Sequence, residues 1–380
     1  MARYSAWILG LSVFFLCTLG LIMLTSTSIW SEGDGETYVH LKSQAKWLLI
    51  GAIGAWGLAL IDHRLLERHW KWIFATCCLL LALCYVPGVG VERNGESRWI
   101  SLPGLRQFQP SECAKIAIAV SLAAFLAKYQ AEVRTFHRGF VMPCLYLGLP
   151  LGLIFFEKDM GTAVSLGAAG VAILFVAGTR MKYLATIAVA SFGTLAFFVM
   201  QNANRLERIM AYQNLEAHKL DKGLQQYRAM LAFANGGMEG AGLGNGAEKH
   251  GALPFAHTDF IFAMVGEEMG LFYTLGTVFA FVLIAVCGVF IAVHAHDMFS
   301  KLLAVGLTAT IISPALLNFG VVTALLPNTG LPLPFLSYGG SNLVFTLAAI
   351  GLLIGVHRRT KFIEAREIPL LKERKLAIRI

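Results

Sequence analysis

The stretch LPFAHTDFIFAMVGEEMGLFYTLGTVFAFVLIAVCGVFIAV, residues 253–293, decides how the rest of the chain is read. Its second part, from Leu271 to Val293, contains no charged residue and is long enough on its own to cross a bilayer. A helical span needs about 20 apolar residues, because the hydrocarbon core is about 30 Å thick and a helix rises about 1.5 Å per residue. Its first part carries three carboxylates, Asp259, Glu267 and Glu268. Those three therefore belong near one boundary of the membrane and not at its centre.

Outward from this segment the same pattern repeats. The chain has 380 residues, 57% hydrophobic and only 14% charged, with mean hydropathy +0.65, which is outside the range of soluble domains. Ten apolar runs predict an all-α polytopic membrane protein, with spans at about 7–29, 46–61, 72–87, 110–128 and 139–156, then 161–178, 183–201, 260–293, 302–323 and 341–356. The first run is too long for a signal-peptide core and should remain as a span. With the N-terminus in the cytoplasm, the short inner loops collect Arg64, Arg68, Lys71, Arg134, Arg138, Arg180, Lys182 and Lys301, as the positive-inside rule requires. Both termini are then cytoplasmic, residues 1–360 form one transmembrane domain, and residues 361–380 form a basic cytoplasmic tail.

Two long connections fall on the outer side, at 88–109 and 202–259. The second, a large extracytoplasmic loop between the seventh and eighth spans, contains stretches with helical apolar spacing and is expected to lie in ordered segments on the membrane surface. A connection of that size in a compact bundle is usually functional. The seven cysteines lie in or beside apolar runs, and none has zinc-ligand partners at suitable spacing, so neither disulfides nor a zinc site is expected. The glycine-rich GGMEGAGLGNGAEK lacks the Gly-Lys-Ser/Thr of a P-loop, and no nucleic-acid module is present.

Ionisable residues at membrane depth are costly and usually functional. In RWISLPGLRQFQPSECAK, Pro110 opens a span, and Glu112 and Lys115 are three apart on one helical face. They read either as a structural ion pair or as part of a site. Asp159 in EKDMGT reads either as a helix cap or as a functional carboxylate. Arg205, Arg208, Arg228, Lys249 and His250 on the large loop suit phosphate recognition, or equally a solvated face attracted to anionic lipid. If Asp259 begins a helix, Glu267 lies about 12 Å further along and roughly 80° around, and Glu268 points almost opposite, so neither forms a close dyad with it. The helix dipole would favour ionised Asp259, either as a cap or as a base.

Taken together, RWI…QPSECAK, DMGT, GLGNGAEKHGALPFAHTDFIFAMVGEEMG and NFGVVTALLPNTGLPLPFLSYGGSNL resemble the SEDS family of bacterial cell-wall polymerases, over about residues 7–360. Division members of that family are the better likeness, and elongation members the next. The resemblance implies a glycosyltransferase in the bacterial cytoplasmic membrane, at the division septum, that polymerises lipid II on the outer face. It also implies a class B penicillin-binding protein and other division membrane proteins as partners. The family's essential carboxylate falls on Asp259, within a motif that also contains His257; other motif residues fall on Trp99, Glu112, Lys115, Asp159 and Ser337. Here EKDMGT stands where Gln-Pro-Asp-Leu-Gly-Thr is commoner, and NLEAHKLDKGLQQY replaces an Asn-Pro-Glu turn.

The chemistry asks for one base, because pyrophosphate is already a competent leaving group. Cations should face that leaving group. Arg205, Arg208 and Lys249 are the first candidates, with Arg98 and Lys115 second. A divalent cation, Mg or Mn, with Asp159 or Glu112 as ligands, is an alternative source of charge. Glu267 and Glu268 are expected to be packing or loop-anchoring groups. A lipid II flippase and a non-catalytic division scaffold are the competing readings.

Overall fold

The structure, a computed structural model, describes residues 4–31, 38–93, 96–102, 105–249 and 253–377, so His250 and residues 378–380 of the tail lie outside the described residues. Helices occur at all ten expected positions. They are α1 (Ser5–Ser31), α2 (Val39–Leu60), α3 (Arg64–Leu83), α4 (Pro110–Lys128), α5 (Met142–Phe156), α6 (Met160–Ala177) and α7 (Met181–Met200). After α8 (Ala203–Gln213) and α9 (Leu224–Gly236) follow α10 (Ile261–Val293), α11 (Met298–Val322) and α12 (Gly340–Ala377). Among the described residues, eight helices are long and apolar enough to cross a membrane. The two expected spans outside that set, α2 and α3, carry Lys42 and Lys46, and Arg64, Glu67, Arg68 and Lys71, in their first two turns.

Helix α4 is the axis of the molecule. Pro110 sits at its start, where a missing N–H costs nothing, and every residue from Ala117 to Leu126 is buried. Its small residues let α3, α6 and α11 approach closely, which is how helices associate where lipid offers no hydrophobic gain. Helix α12 lies along α2, and α11 lies between α6 and α10.

Three features depart from the sequence reading. The connection 88–109 forms a three-stranded antiparallel sheet, β1 (Gly90–Arg93), β2 (Glu96–Leu102) and β3 (Leu105–Phe108), with Val91 opposite Trp99 and Ile100 opposite Phe108. Helix α10 is broken at Gly270 (φ 76°, ψ −171°), which separates the carboxylate-bearing segment from the apolar run beginning at Leu271. Helix α9 does not lie on the membrane surface. Gln226, Ala229, Ala232 and Gly236 are buried and the helix packs against α10, with Gln226 Nε2 donating to Val321 O (2.8 Å) and Leu326 O (2.7 Å). All seven cysteines are free thiols.

Candidate active site

The segment before α10 turns sharply because Phe255 takes a left-handed conformation (φ 59°), and the amides of Thr258 and Phe260 return to its carbonyl. The helix cap falls on Phe260, so Asp259 lies one residue before the cap and does not cap the helix, contrary to the simplest expectation. Its backbone is held from two sides. The Asn318 amide on α11 donates to Asp259 O and to Leu331 O, each at 2.7 Å, joining the turn to the 323–339 loop. The Ser337 hydroxyl donates to Thr258 O (2.6 Å) and accepts from Leu333 N (2.7 Å), and Tyr338 N donates to His257 O (3.0 Å). Ser337, expected among the substrate contacts, is instead buried and occupied within the scaffold. The carboxylate of Asp259 lies beside Gly330, which takes a left-handed backbone (φ 69°); a Cβ there would lie 3.5 Å from Asp259 Oδ2.

A second carboxylate is brought to the same region. Asp159 caps α6, accepting from Thr162 N (3.0 Å) and the Thr162 hydroxyl (2.9 Å), and it also accepts from Gln109 Nε2 (3.4 Å). Asp159 is thus a helix cap, and Arg98 Nε lies 3.9 Å from its Oδ2. Arg98 Nη2 donates to Lys158 O (2.9 Å), and Lys158 adopts a left-handed conformation (φ 64°). The sheet delivers Arg98 here: it shares a strand face with Ile100, which is buried, while Trp99 occupies the opposite strand face and is half-buried. Gly161 completes the junction, because its bare Cα lets α6 meet the 329–331 segment; a Cβ would approach Leu331 to 2.7 Å.

Burial dominates the electrostatics. It pushes the Asp259 carboxyl up to about 6, with Arg98 opposing the rise and Asp159 adding to it. The expectation that the helix dipole would favour the ionised form is thus opposed by burial, which is the larger effect. Glu157 is buried and is pushed up to about 8 by burial and by Asp159, so it holds its proton at neutral pH. His257 stacks on His40 with ring centroids 5.0 Å apart, and burial lowers its pKa to about 4, so it is neutral.

The other expected residues divide. Arg205 and Arg208 lie on α8 with Tyr212, at helical spacings that share a face, and the Tyr212 hydroxyl donates to Leu325 O (2.9 Å) in the loop leading to Gly330. Lys249 is a correction. Its ammonium is buried, donating to Glu268 Oε1 (2.7 Å) and the Ser26 hydroxyl (2.8 Å), so it is not available to a leaving group. Lys115 is likewise closed in a bidentate pair with Glu112 at 2.8 Å, to which Asn342 Nδ2 also donates (3.2 Å), within the bundle. Glu267 accepts from Ala247 N and Glu248 N (2.9 and 3.2 Å), and Glu268 from Gly244 N (2.9 Å), so both clamp the 236–249 segment onto α10.

Asp159 and Glu112, the expected ligands of a divalent cation, are each engaged with other protein groups. Asp159 accepts from Thr162 and Gln109 and lies 3.9 Å from Arg98, Glu112 accepts from Lys115 and Asn342, and no three His, Cys, Asp or Glu side chains converge among the described residues.

A family model for the FtsW, RodA and SpoVE proteins, described as cell cycle protein, matches residues 7–362. The chain belongs to that family. Probable peptidoglycan glycosyltransferase FtsW of Geobacter metallireducens is 38% identical over 361 residues, covering 94% of this chain and 96% of its own. Stage V sporulation protein E of Bacillus subtilis is 34% identical over 358 residues, covering 93% and 97%. Among solved structures, a chain from a peptidoglycan synthase complex, reported for its structural coordination of polymerization and crosslinking, superposes with TM-score 0.78 at 28% identity, covering 93% of this chain and 98% of that one. The rod shape determining protein RodA of Thermus thermophilus superposes at 0.69 with 27% identity, covering 93% and 96%. The protein is accordingly a multi-pass membrane protein of the FtsW/RodA type.

Three groups at this site escaped sequence reasoning: Asn318, Gly330 and Glu157. Asn318 carried a usable signal, since an amide inside an apolar span must find buried partners. Glu157 carried none, because its depth is a property of how α5 and α6 are joined.

Proposed function

We propose that the protein is a peptidoglycan glycosyltransferase that polymerises lipid II on the outer face of the cytoplasmic membrane, with Asp259 as general base. The observation carrying this reading is the half-buried Asp259 carboxyl, raised to about 6, under the influence of Arg98 and beside Gly330. A base is most effective when its pKa lies near the working pH. At pH 7 a group of pKa about 6 is mostly ionised, yet far more basic than an exposed aspartate.

In the reaction the 4-hydroxyl of the acceptor sugar attacks the anomeric carbon of the donor chain, the bond to lipid pyrophosphate breaks, and Asp259 takes the hydroxyl proton. Inversion yields a β-linkage. Arg98, with Arg205 and Arg208 on α8, supplies positive charge toward the departing pyrophosphate, where a guanidinium can bind two phosphate oxygens at once. Asp159 orients Arg98 through the 3.9 Å pair. Glu157, protonated, adds no further negative charge to this cluster.

A class B penicillin-binding protein is the partner proposed for crosslinking, and a septal location is proposed from the likeness to FtsW. The structural relative seated in a synthase complex supports the first, and the greater number of FtsW relatives supports the second.

The test uses purified protein with its transpeptidase partner and labelled lipid II, comparing wild type with Asp259→Asn and Asp259→Ala. Glycan chains are expected from wild type alone, the variants losing at least about 10²-fold. Undiminished polymer from Asp259→Asn would remove the base assignment, and movement of lipid II across liposomes without polymer from any form would favour the flippase.

A further inference from the structure

At the end of the bundle remote from Asp259, the first turns of α3 and α11 and the last turn of α4 enclose an open cavity of about 610 Å³. Remoteness follows from the helices themselves. Helix α4 begins beside Gln109, which bonds Asp159, and ends at Lys128; α11 begins at Met298 and reaches Asn318 beside Asp259 only near its other end.

The cavity has a fixed floor. Asp297 caps α11 through Ser300 N (2.9 Å) and the Ser300 hydroxyl (3.0 Å), that hydroxyl contacts His63 Nε2 at 2.7 Å, and Phe299 stacks on the His63 ring. Arg64 pairs with Asp297 at 3.5 Å, so these two charges are spent on one another. Trp70 supplies an apolar wall.

What remains facing the space are Arg68, Lys128 and Glu67. Arg68 is exposed and has no hydrogen-bond or ion-pair partner among the described residues. Lys128 leans over Tyr129 at 5.5 Å and has no carboxylate partner among them. Three cations against two carboxylates leave a surplus of one positive charge, which complements a phosphodiester. A free phosphate ion would leave most of a 610 Å³ space unfilled, whereas a head group with its glycerol suits it.

We propose that this cavity binds the phosphate head group of an inner-leaflet phospholipid, with Arg68 and Lys128 as its ligands and Trp70 against the glycerol region. The placement in the inner leaflet rests on the topology read from the basic loops; the pairing of a phosphate with Arg68 and Lys128 does not. Guanidinium and ammonium groups at the cytoplasmic boundary are the chemistry that recognises such head groups.

The test is native mass spectrometry of the full-length protein titrated with phosphatidylglycerol, with diacylglycerol as the headless control and inorganic phosphate as competitor. Wild type is expected to retain one phosphatidylglycerol that Arg68→Gln/Lys128→Gln binds at least tenfold more weakly, with diacylglycerol failing to occupy the site. The double variant should keep its thermal midpoint, since both side chains are exposed; Trp70→Ala, read in the same titration, should weaken retention through the apolar wall. Equal retention by wild type and double variant would overturn the proposal. So would displacement of the lipid by millimolar inorganic phosphate, which would make this a free-anion site, or equal retention of diacylglycerol. None of these outcomes depends on glycosyltransfer, so the site can fail while the catalytic reading stands.

Discussion

Asp259 has to be charged enough to accept a proton and dry enough to make that proton worth holding. The same burial has a consequence for stability, whose sign is fixed. Because its folded pKa, about 6, exceeds the ordinary value of 3.8, the group's favourable contribution is complete below 3.8 and is lost as pH rises through 6. Ionising it in the folded protein costs roughly 2–3 kcal/mol at pH 8, by the conversion of about 1.4 kcal/mol per unit. Asp259→Asn should therefore unfold at a higher temperature than wild type at pH 8, with the gap closing toward pH 4, while its polymerisation is abolished; a thermal scan in detergent at the two pH values checks this. Arg98 opposes the rise. Arg98→Gln should accordingly move the acid limb of the kcat/KM profile to higher pH, whereas Arg98→Lys, keeping the charge, should move it less. A profile unchanged in Arg98→Gln would show that the arginine does not act on the base.

At the scale of elements, the segment 236–249 is tied to α10 by Glu267 and by the Lys249–Glu268 pair, whose side chains are 1% and 0% exposed. Breaking a buried pair from one side leaves an uncompensated charge, costing about 3–5 kcal/mol, while replacing both partners costs much less. Lys249→Met and Glu268→Leu should each loosen that segment, raising its amide exchange, and the double variant should recover most of the protection. The anchoring role of Glu267 and Glu268 was legible in the sequence, but their partners were not. Lys249 and Glu268 are nineteen residues apart and Ser26 belongs to another helix, so only the packed bundle makes them neighbours. The ten helices were legible because apolar runs long enough to span a bilayer have few other uses, and Asp259 because its motif is long. The sheet at 90–108 was not, since its strands of four and seven residues are too short and too mixed in polarity to show alternation. The break at Gly270 left a trace, the change from charged to apolar sequence, but its cause is the close approach of Met238 and Gly240 to a bare Cα.

For the whole molecule, the topology read from the basic loops places Arg134 and Lys219 on opposite sides of the membrane. Arg134 is exposed and the Lys219 side chain is 44% exposed, so single-cysteine variants at these positions should be labelled by a membrane-impermeant maleimide in intact cells at residue 219 only; labelling at 134 would invert the orientation. One property of α4 and α11 then acquires a meaning of its own. The nineteen residues of α4 span about 28 Å, close to the thickness of the hydrocarbon core, and α11 covers about 32 Å from Asp297 to Asn318. Both are buried along most of their length, so neither can tilt to accommodate a different membrane. The height of Asp259 is thus set by protein, while the height of a lipid-anchored sugar is set by its surroundings. Acyl chains a few carbons longer or shorter would shift substrate relative to base, and should appear as a change in KM across nanodiscs of graded thickness: the enzyme measures its membrane.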